Sequence, residues 1–385
     1  MGYTQKQPNG KYRARWRDPD GRLRSKNFAR ERDAARHLRS TEVAIDQGRY
    51  MDEAGGKLLF AEWAEHYFAL AQKRLARTTY ARDVTWLNAY VLPRWGRTPL
   101  GKISESAVER WIADLGDEGK AVKGGTLAPT SVQDIYQTFR KVMKAAHTAG
   151  RIPRIPCPEH PPIARKKRKA IRFLAEAEVD HLAQNIDPLY EAMIFVAAYG
   201  GFRLGELCAL RIDDVDWAHG YIRVDEGLTD VDGQLKFENP KSDRAFRTVP
   251  MADLALEKLT AHIELRVEGT DRRALLFAAP DGGVLRPNNW RNRHFNRAVS
   301  LAELAPLTPH DLRHTAASLF IAEGANPWML AEILGHGDTR MIDRVYGHLF
   351  EKDRQALRDR MSRRAREASV DNIRRLPRLP AEKAT

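Results

Sequence analysis

The sequence predicts a mainly α-helical protein with small β-sheets, an α+β chain of several domains. Three observations carry that prediction. Residues 11–28 alternate at strand period around a turn, residues 56–150 repeat at helical period, and residues 173–350 mix the two. A chain of 385 residues is also too long for one ordinary domain.

The first part, residues 1–55, opens on a strand. At period two, Tyr12, Ala14 and Trp16 share one face, and Lys11, Arg13, Arg15 and Arg17 share the other. Asp18, Pro19, Asp20 and Gly21 make a turn. A second strand follows from Arg22 to Phe28, then a short helix from about Arg30 to Ser40. Residues 56–152 read as all-helical. Phe60, Trp63, Tyr67 and Phe68 form one stripe. A later helix is expected to start at Pro129, Thr130 and Ser131, with Asp134 completing a cap. Its apolar face is Val132, Ile135, Phe139, Val142, Met143 and Ala146, and Gly150 ends it.

Residues 153–172 hold Pro153, Pro156, Pro158, Pro161 and Pro162, then Arg165, Lys166, Lys167, Arg168 and Lys169. Proline cannot continue a helix and like charges repel, so this is an extended basic linker. Residues 173–350 follow as a mixed domain. Helices are expected at 176–185, 188–199 and 204–210. Strands are expected at Tyr221–Val224, Leu235–Phe237 and Phe246–Val249, with turns at Asp232-Gly233 and Ser242-Asp243. Thr308, Pro309 and Asp311 start another helix, and Gly324 stops it. Asn326 and Pro327 start the next, stopped by Gly335. Residues 351–385 are a basic tail.

Composition narrows the function. With 43% hydrophobic residues the chain can bury real cores. Its longest apolar run, Ala192 to Phe202, is too short to span a bilayer. The first residues carry no apolar signal segment, and two cysteines, Cys157 and Cys208, make neither a disulfide framework nor a zinc site. A cytoplasmic protein with no membrane partner is therefore expected. The net charge is +13. Residues 1–50, 151–172 and 352–385 carry +7, +7 and +6, which leaves the remainder at −7. Basic extensions around ordinary bodies point to a polyanion such as DNA.

Within residues 173–350 six polar side chains stand out. Arg203 follows an apolar helix. Lys241 lies in a turn after Pro240. His310 and Arg313 form His-x-x-Arg at a capped helix start. His336 follows Leu334 and Gly335, and Tyr346 comes ten residues later. Each alone has an ordinary structural explanation, such as pairing of Arg203 with Glu206.

Taken in order, the set resembles the signature of the tyrosine recombinase, or phage integrase, family. The matching segments are Gly201 to Glu206, Pro240-Lys241-Ser242 followed by Arg247 to Pro250, His310 to Thr315, Leu334 to His336, and Tyr346 to His348. The resemblance is close over the catalytic part. It extends more loosely to residues 56–150, similar to a helical core-site-binding domain. Residues 1–50 resemble a three-stranded arm-site-binding domain.

That resemblance implies a role for each residue. Tyr346 would attack the scissile phosphate, form a 3′-phosphotyrosine and free a 5′-hydroxyl. A phenol with pKa ~10 is about one part in a thousand ionised at neutral pH, so it needs a base, for which His310 is the candidate. Arg203 and Arg313 would hold the non-bridging oxygens, since a planar, permanent cation suits bidentate phosphate contact. His336 would add a hydrogen bond, and Glu206 would orient Arg203. Lys241 would protonate the leaving oxygen. Lys236 and Arg244 lie nearby, and the Pro-Lys-Ser context selects Lys241. Arg13, Arg15, Arg17, Lys166 and Lys167 are the expected DNA contacts.

The same resemblance implies no metal and no cofactor, because one phosphodiester is exchanged for a phosphotyrosyl ester and back. It implies a homotetramer on double-stranded attachment-site DNA, with an excisionase and a host DNA-bending protein as accessory partners. A purely DNA-binding protein would explain the charge but not the ordered set. A type IB topoisomerase shares the chemistry, but the basic N-terminal module favours an integrase.

Overall fold

The computed structural model describes residues 2–19, 21–47, 50, 55–117, 125–164, 171–239, 246–266, 271–351 and 353–375. The chain forms two compact units, Met1–Arg168 and Lys169–Thr385.

The first unit opens with a three-stranded antiparallel sheet. Its strands β1 (Tyr3–Lys6), β2 (Tyr12–Arg17) and β3 (Leu23–Phe28) lie in sequential order. Tyr3 pairs with Arg15, and Tyr12 pairs with Phe28. The expected alternation on β2 is present. Ala14 and Trp16 are buried against Ala34 and Leu38 of helix α1 (Glu31–Asp46), which runs longer than its sequence pattern suggested. The opposite face carries Arg13, Arg15 and Arg17. Arg13 donates to Asn27 and Gln7, and Arg15 to the Tyr3 hydroxyl. These neutral partners hold the guanidinium groups without cancelling their charge.

The rest of this unit is helical: α2 (Phe60–Ala71), α3 (Arg77–Trp86), α4 (Leu92–Trp95), α5 (Glu105–Asp117) and α6 (Pro129–Thr148). A π-helical turn, Leu87–Val91, joins α3 to α4. The aromatic stripe of α2 and the apolar face of α6 form one core, as their spacing predicts. Phe139 sits at its centre, fully buried and stacked on Phe60 at 5.5 Å, with Trp95 and Trp111 at 5.6 and 5.4 Å. The start of α6 differs from the expected cap. Ala128 is the N-cap and Pro129 takes the first helical position, so Ser131 already lies inside the first turn. Proline's fixed φ sets the start there, without a side-chain cap.

The second unit packs helices around two small sheets. Helices α7 (Glu176–Asn185), α8 (Glu191–Gly200) and α9 (Leu204–Leu207) come first. Strands β4 (Val215–Asp216), β5 (Tyr221–Val224) and β8 (Arg247–Pro250) form one antiparallel sheet, and β6 (Gly227–Val231) with β7 (Gln234–Glu238) forms a hairpin. Asp232 and Gly233, both at positive φ, make the hairpin turn. Then follow α10 (Asp253–Arg266), α11 (Pro287–Trp290), α12 (Asn296–Leu301), α13 (Pro309–Ala322), α14 (Pro327–Leu334), α15 (Arg340–Glu351) and α16 (Asp353–Arg375). Helix α8 is apolar all round, which suits its place inside the largest core cluster. No helix among the described residues is long and apolar enough to cross a membrane.

Because Phe139 contacts three other rings in a closed core, Phe139→Ala should destabilise the helical part by about 3–5 kcal/mol. Denaturant titration of the full chain, followed by tryptophan fluorescence, measures it. A loss under about 1 kcal/mol would contradict this packing.

Candidate active site

Three helix ends and one strand converge on the C-terminus of α14. Its start is fixed by Asn326, whose side chain accepts from the backbone N–H groups of Trp328 and Met329. Its end is fixed by Gly335, left-handed at φ +63°. The last carbonyls of a helix lack partners within it and carry the negative end of its dipole. Here arginines fill three of them in succession. Arg247 Nε donates to the Ile333 carbonyl at 2.7 Å. Arg313 Nη2 donates to the Leu334 carbonyl. Arg203 Nη2 donates to the Gly335 carbonyl at 3.0 Å.

Each arginine reaches this point from a different element. Arg203 is the N-cap residue of α9, just after Gly201, which ends α8 at φ +69°. A side chain at Gly201 would meet Leu334 and Ala316 at about 3 Å, so only glycine lets the chain turn there. Arg313 lies in the first turns of α13, whose Thr308 hydroxyl and N–H both donate to Asp311 at 2.7 Å, as the sequence cap predicts. Arg247 opens β8.

Glu206 binds two of these cations together. Its Oε1 accepts from Arg203 Nη1 at 2.6 Å, and its Oε2 accepts from Arg247 Nη2 at 2.7 Å and from the Arg203 backbone N–H at 2.9 Å. Burial by itself would push this carboxyl up. The hydrogen bonds and charge of Arg247, then Arg203, outweigh it and hold Glu206 at about 2. Arg247 was not among the residues selected from sequence. Its one signal was the Arg-Thr-Val-Pro segment matching the family pattern.

Arg313 is 2% exposed. Besides Leu334 it donates to the Gly201 carbonyl at 2.7 Å and, through Nη2, to His336 Nε2 at 3.0 Å. Burial, reinforced by Arg203, lowers it to about 9, so it remains a cation at neutral pH. A guanidinium can only donate, so His336 Nε2 accepts and its proton sits on Nδ1. That buried Nδ1 has no hydrogen-bond partner among the described residues. Burial and Arg313 lower His336 to about 4, which makes it neutral at physiological pH.

Tyr346, on α15, is 2% exposed and belongs to a cluster with Ala317, Ile321, Leu330, Ala331, Leu334 and Ile342. Burial raises its phenol to about 12, an effect Arg313 opposes. Its hydroxyl lies 2.7 Å from His314 Nδ1. His310, the expected base, stands next to that pair, with its ring centroid 4.7 Å from that of His314. The sequence reading passed over His314. It falls one helical turn after His310, and its place in the matching segment His310 to Thr315 was its one signal. Lys241, Lys166 and Lys167 lie outside the described residues.

Residues 172–353 match the model of the phage integrase family. Over those residues the chain carries a domain of that family of tyrosine recombinases. Its activity is site-specific cleavage and rejoining of DNA strands. The recombinase is 28% identical over 344 residues to a putative prophage phiRv2 integrase of Mycobacterium tuberculosis, spanning 85% of this chain and 86% of the relative. It is 27% identical over 283 residues to the ICEBs1 integrase of Bacillus subtilis, spanning 71% and 75%. The fold is similar to that of the Tn1549 transposon integrase, solved with a circular intermediate DNA. That match has a TM-score of 0.66 and 18% identity, over 79% of this chain and 99% of that one. It is also similar to a lambda integrase dimer bound to a core site, with a TM-score of 0.57 and 18% identity, over 89% and 93%.

Glu206 ionises well below its ordinary 4.5. Its contribution, about 3 kcal/mol, should be present above pH ~4.5 and lost as pH falls toward 2. Glu206→Gln should therefore destabilise the recombinase by about 3–5 kcal/mol at neutral pH, because it leaves buried Arg247 without its counter-charge. The gap to the unsubstituted protein should narrow below pH 4.5. Calorimetric scans across pH test this, and a gap that stays constant would exclude Glu206 as the titrating group.

Proposed function

We propose that this recombinase cuts DNA by in-line attack of Tyr346 on a phosphate held between Arg203 and Arg313, leaving a 3′-phosphotyrosine and a 5′-hydroxyl. The observation that carries the reading is the convergence of two guanidinium groups and His336 on one helix end, with the phenol held by the helix that bears Arg313. Two fixed cations suit a phosphorane, on which charge builds over equatorial oxygens. The neutral His336 keeps a donor free for one of those oxygens. Glu206 sets the direction of Arg203. Lys241, in the segment that follows β7 in sequence, is the acid for the leaving 5′-oxygen, since an ammonium releases a proton that a guanidinium keeps. The phenol is covered as it stands, so engagement of DNA has to bring it and the phosphate together.

The cationic face of β2, with Arg13, Arg15 and Arg17, would grip phosphates at a separate site, and Lys166 and Lys167 would contact the backbone near the cut. A lambda integrase tetramer has been solved on a Holliday junction. In line with it, four copies of this chain would synapse two attachment sites, with an excisionase and a DNA-bending protein setting direction. The biological outcome would be integration and excision of a phage or mobile element. The alternative, a type IB topoisomerase, would relax supercoils as a monomer and need no defined site.

Tyr346→Phe should bind duplex DNA with unchanged affinity and form no covalent adduct on a nicked substrate; an adduct that survives the change removes Tyr346 as nucleophile. Arg203→Ala should slow cleavage by at least about 100-fold while affinity changes only a few-fold. Equal losses in both would make Arg203 a simple DNA contact.

A further inference from the structure

We infer that His314 is the group that takes the phenol proton from Tyr346 during strand cleavage and returns it during rejoining. The inference rests on Tyr346 being the nucleophile.

The geometry is direct. His314 Nδ1 is 2.7 Å from the Tyr346 hydroxyl, and no other side chain among the described residues hydrogen-bonds that oxygen. Its ring meets the phenol ring edge-on at 5.7 Å. His314 projects from α13, one residue after Arg313, so the proton acceptor and the phosphate-holding cation share a rigid helix. Burial, with His310 adding, lowers His314 to about 4, so it is neutral at working pH with a lone pair available. A protonated imidazole could only donate at both nitrogens and could not accept this proton. His310 has no hydrogen bond to the phenol. It faces His314 edge-on and is itself lowered by burial and by Arg313.

The step balances as follows. The Oη–H bond of Tyr346 breaks and its proton goes to His314 Nδ1, giving an imidazolium. The Oη–P bond forms, and the P–O5′ bond breaks. The leaving 5′-oxygen takes a different proton, from Lys241 in the reading above. In rejoining, the 5′-hydroxyl gives its proton to the now neutral Lys241 amine as its oxygen attacks phosphorus, the Oη–P bond breaks, and the imidazolium returns its proton to Oη. Because the resting phenol is much the weaker acid of the pair, transfer runs together with attack. Bonding to phosphorus makes Oη acidic.

The test uses the full chain and a nicked duplex carrying its recombination site. His314→Gln keeps a polar contact but cannot accept a full proton. Adduct formation should fall by at least about 100-fold with DNA affinity and Tm retained. His314→Ala should show the same loss, and added imidazoles should restore the rate in order of their basicity. A duplex with sulfur in place of the bridging 5′-oxygen has a leaving thiol of pKa near ~8.5, which departs without an acid. That substrate should relieve Lys241→Ala and leave His314→Gln slow.

A normal or faster rate in His314→Gln would overturn the inference and make the contact a resting latch. Full rescue of His314→Gln by the sulfur substrate would overturn it by assigning His314 to the leaving group. Failure of every imidazole to rescue a folded, DNA-binding His314→Ala would overturn it too. An adduct formed by Tyr346→Phe would instead sink the nucleophile assignment on which the inference stands.

Discussion

The end of α14 is where the catalytic unit is decided. Three consecutive carbonyls there need partners, and the helix dipole makes them attractive to cations. Arg247, Arg313 and Arg203 supply those partners from β8, α13 and the start of α9. Each arginine has more donors than one carbonyl uses. The surplus goes to Glu206, to Gly201 and to His336, so one helix terminus organises elements more than 130 residues apart in sequence.

Like charges packed this closely would repel. The arrangement holds because Glu206 neutralises part of the set, and because carbonyl dipoles absorb the rest. Arg247 is spent on that structural task, with both its ion pair and its carbonyl contact buried. Arg203 differs. Its side chain remains 43% exposed despite two contacts, which leaves it open for the phosphate contact proposed above. Arg313 is almost fully enclosed, and its outlet is His336, which passes the polar site on to a free Nδ1 donor. The three arginines thus divide into a scaffold, an exposed contact and a buried relay.

Tyr346, the proposed nucleophile, follows a different logic. An exposed phenol would be as hard to ionise as any other, and a buried one is harder. What burial gives Tyr346 is one defined hydrogen-bond partner among the described residues, since α13, α14 and α15 close around it and leave His314 at its oxygen. Proton transfer along a short, directed hydrogen bond compensates for an unfavourable resting acidity.

Local signals in the sequence determined much of this protein. Ala14 and Trp16 opposite three arginines settled the N-terminal sheet, because strand period places alternate residues on opposite faces. The aromatic spacing from Phe60 and the stripe through Phe139 settled the helical core. Thr308, Asp311, Asn326 and Gly335 marked helix ends, because capping is chemistry within three or four residues. The order of Arg203, Lys241, His310, Arg313, His336 and Tyr346 pointed to the family and its reaction. Tertiary structure alone decided which side chains touch. Nothing local separates His314 from His310, since both lie on one turn of α13, and only the approach of α15 selects which one meets the phenol. Beyond the Arg-Thr-Val-Pro match nothing local assigns Arg247 its task, because its partners Glu206 and Ile333 lie 41 and 86 residues away. Caps and periods are written in neighbouring residues; a contact across helices depends on how they pack.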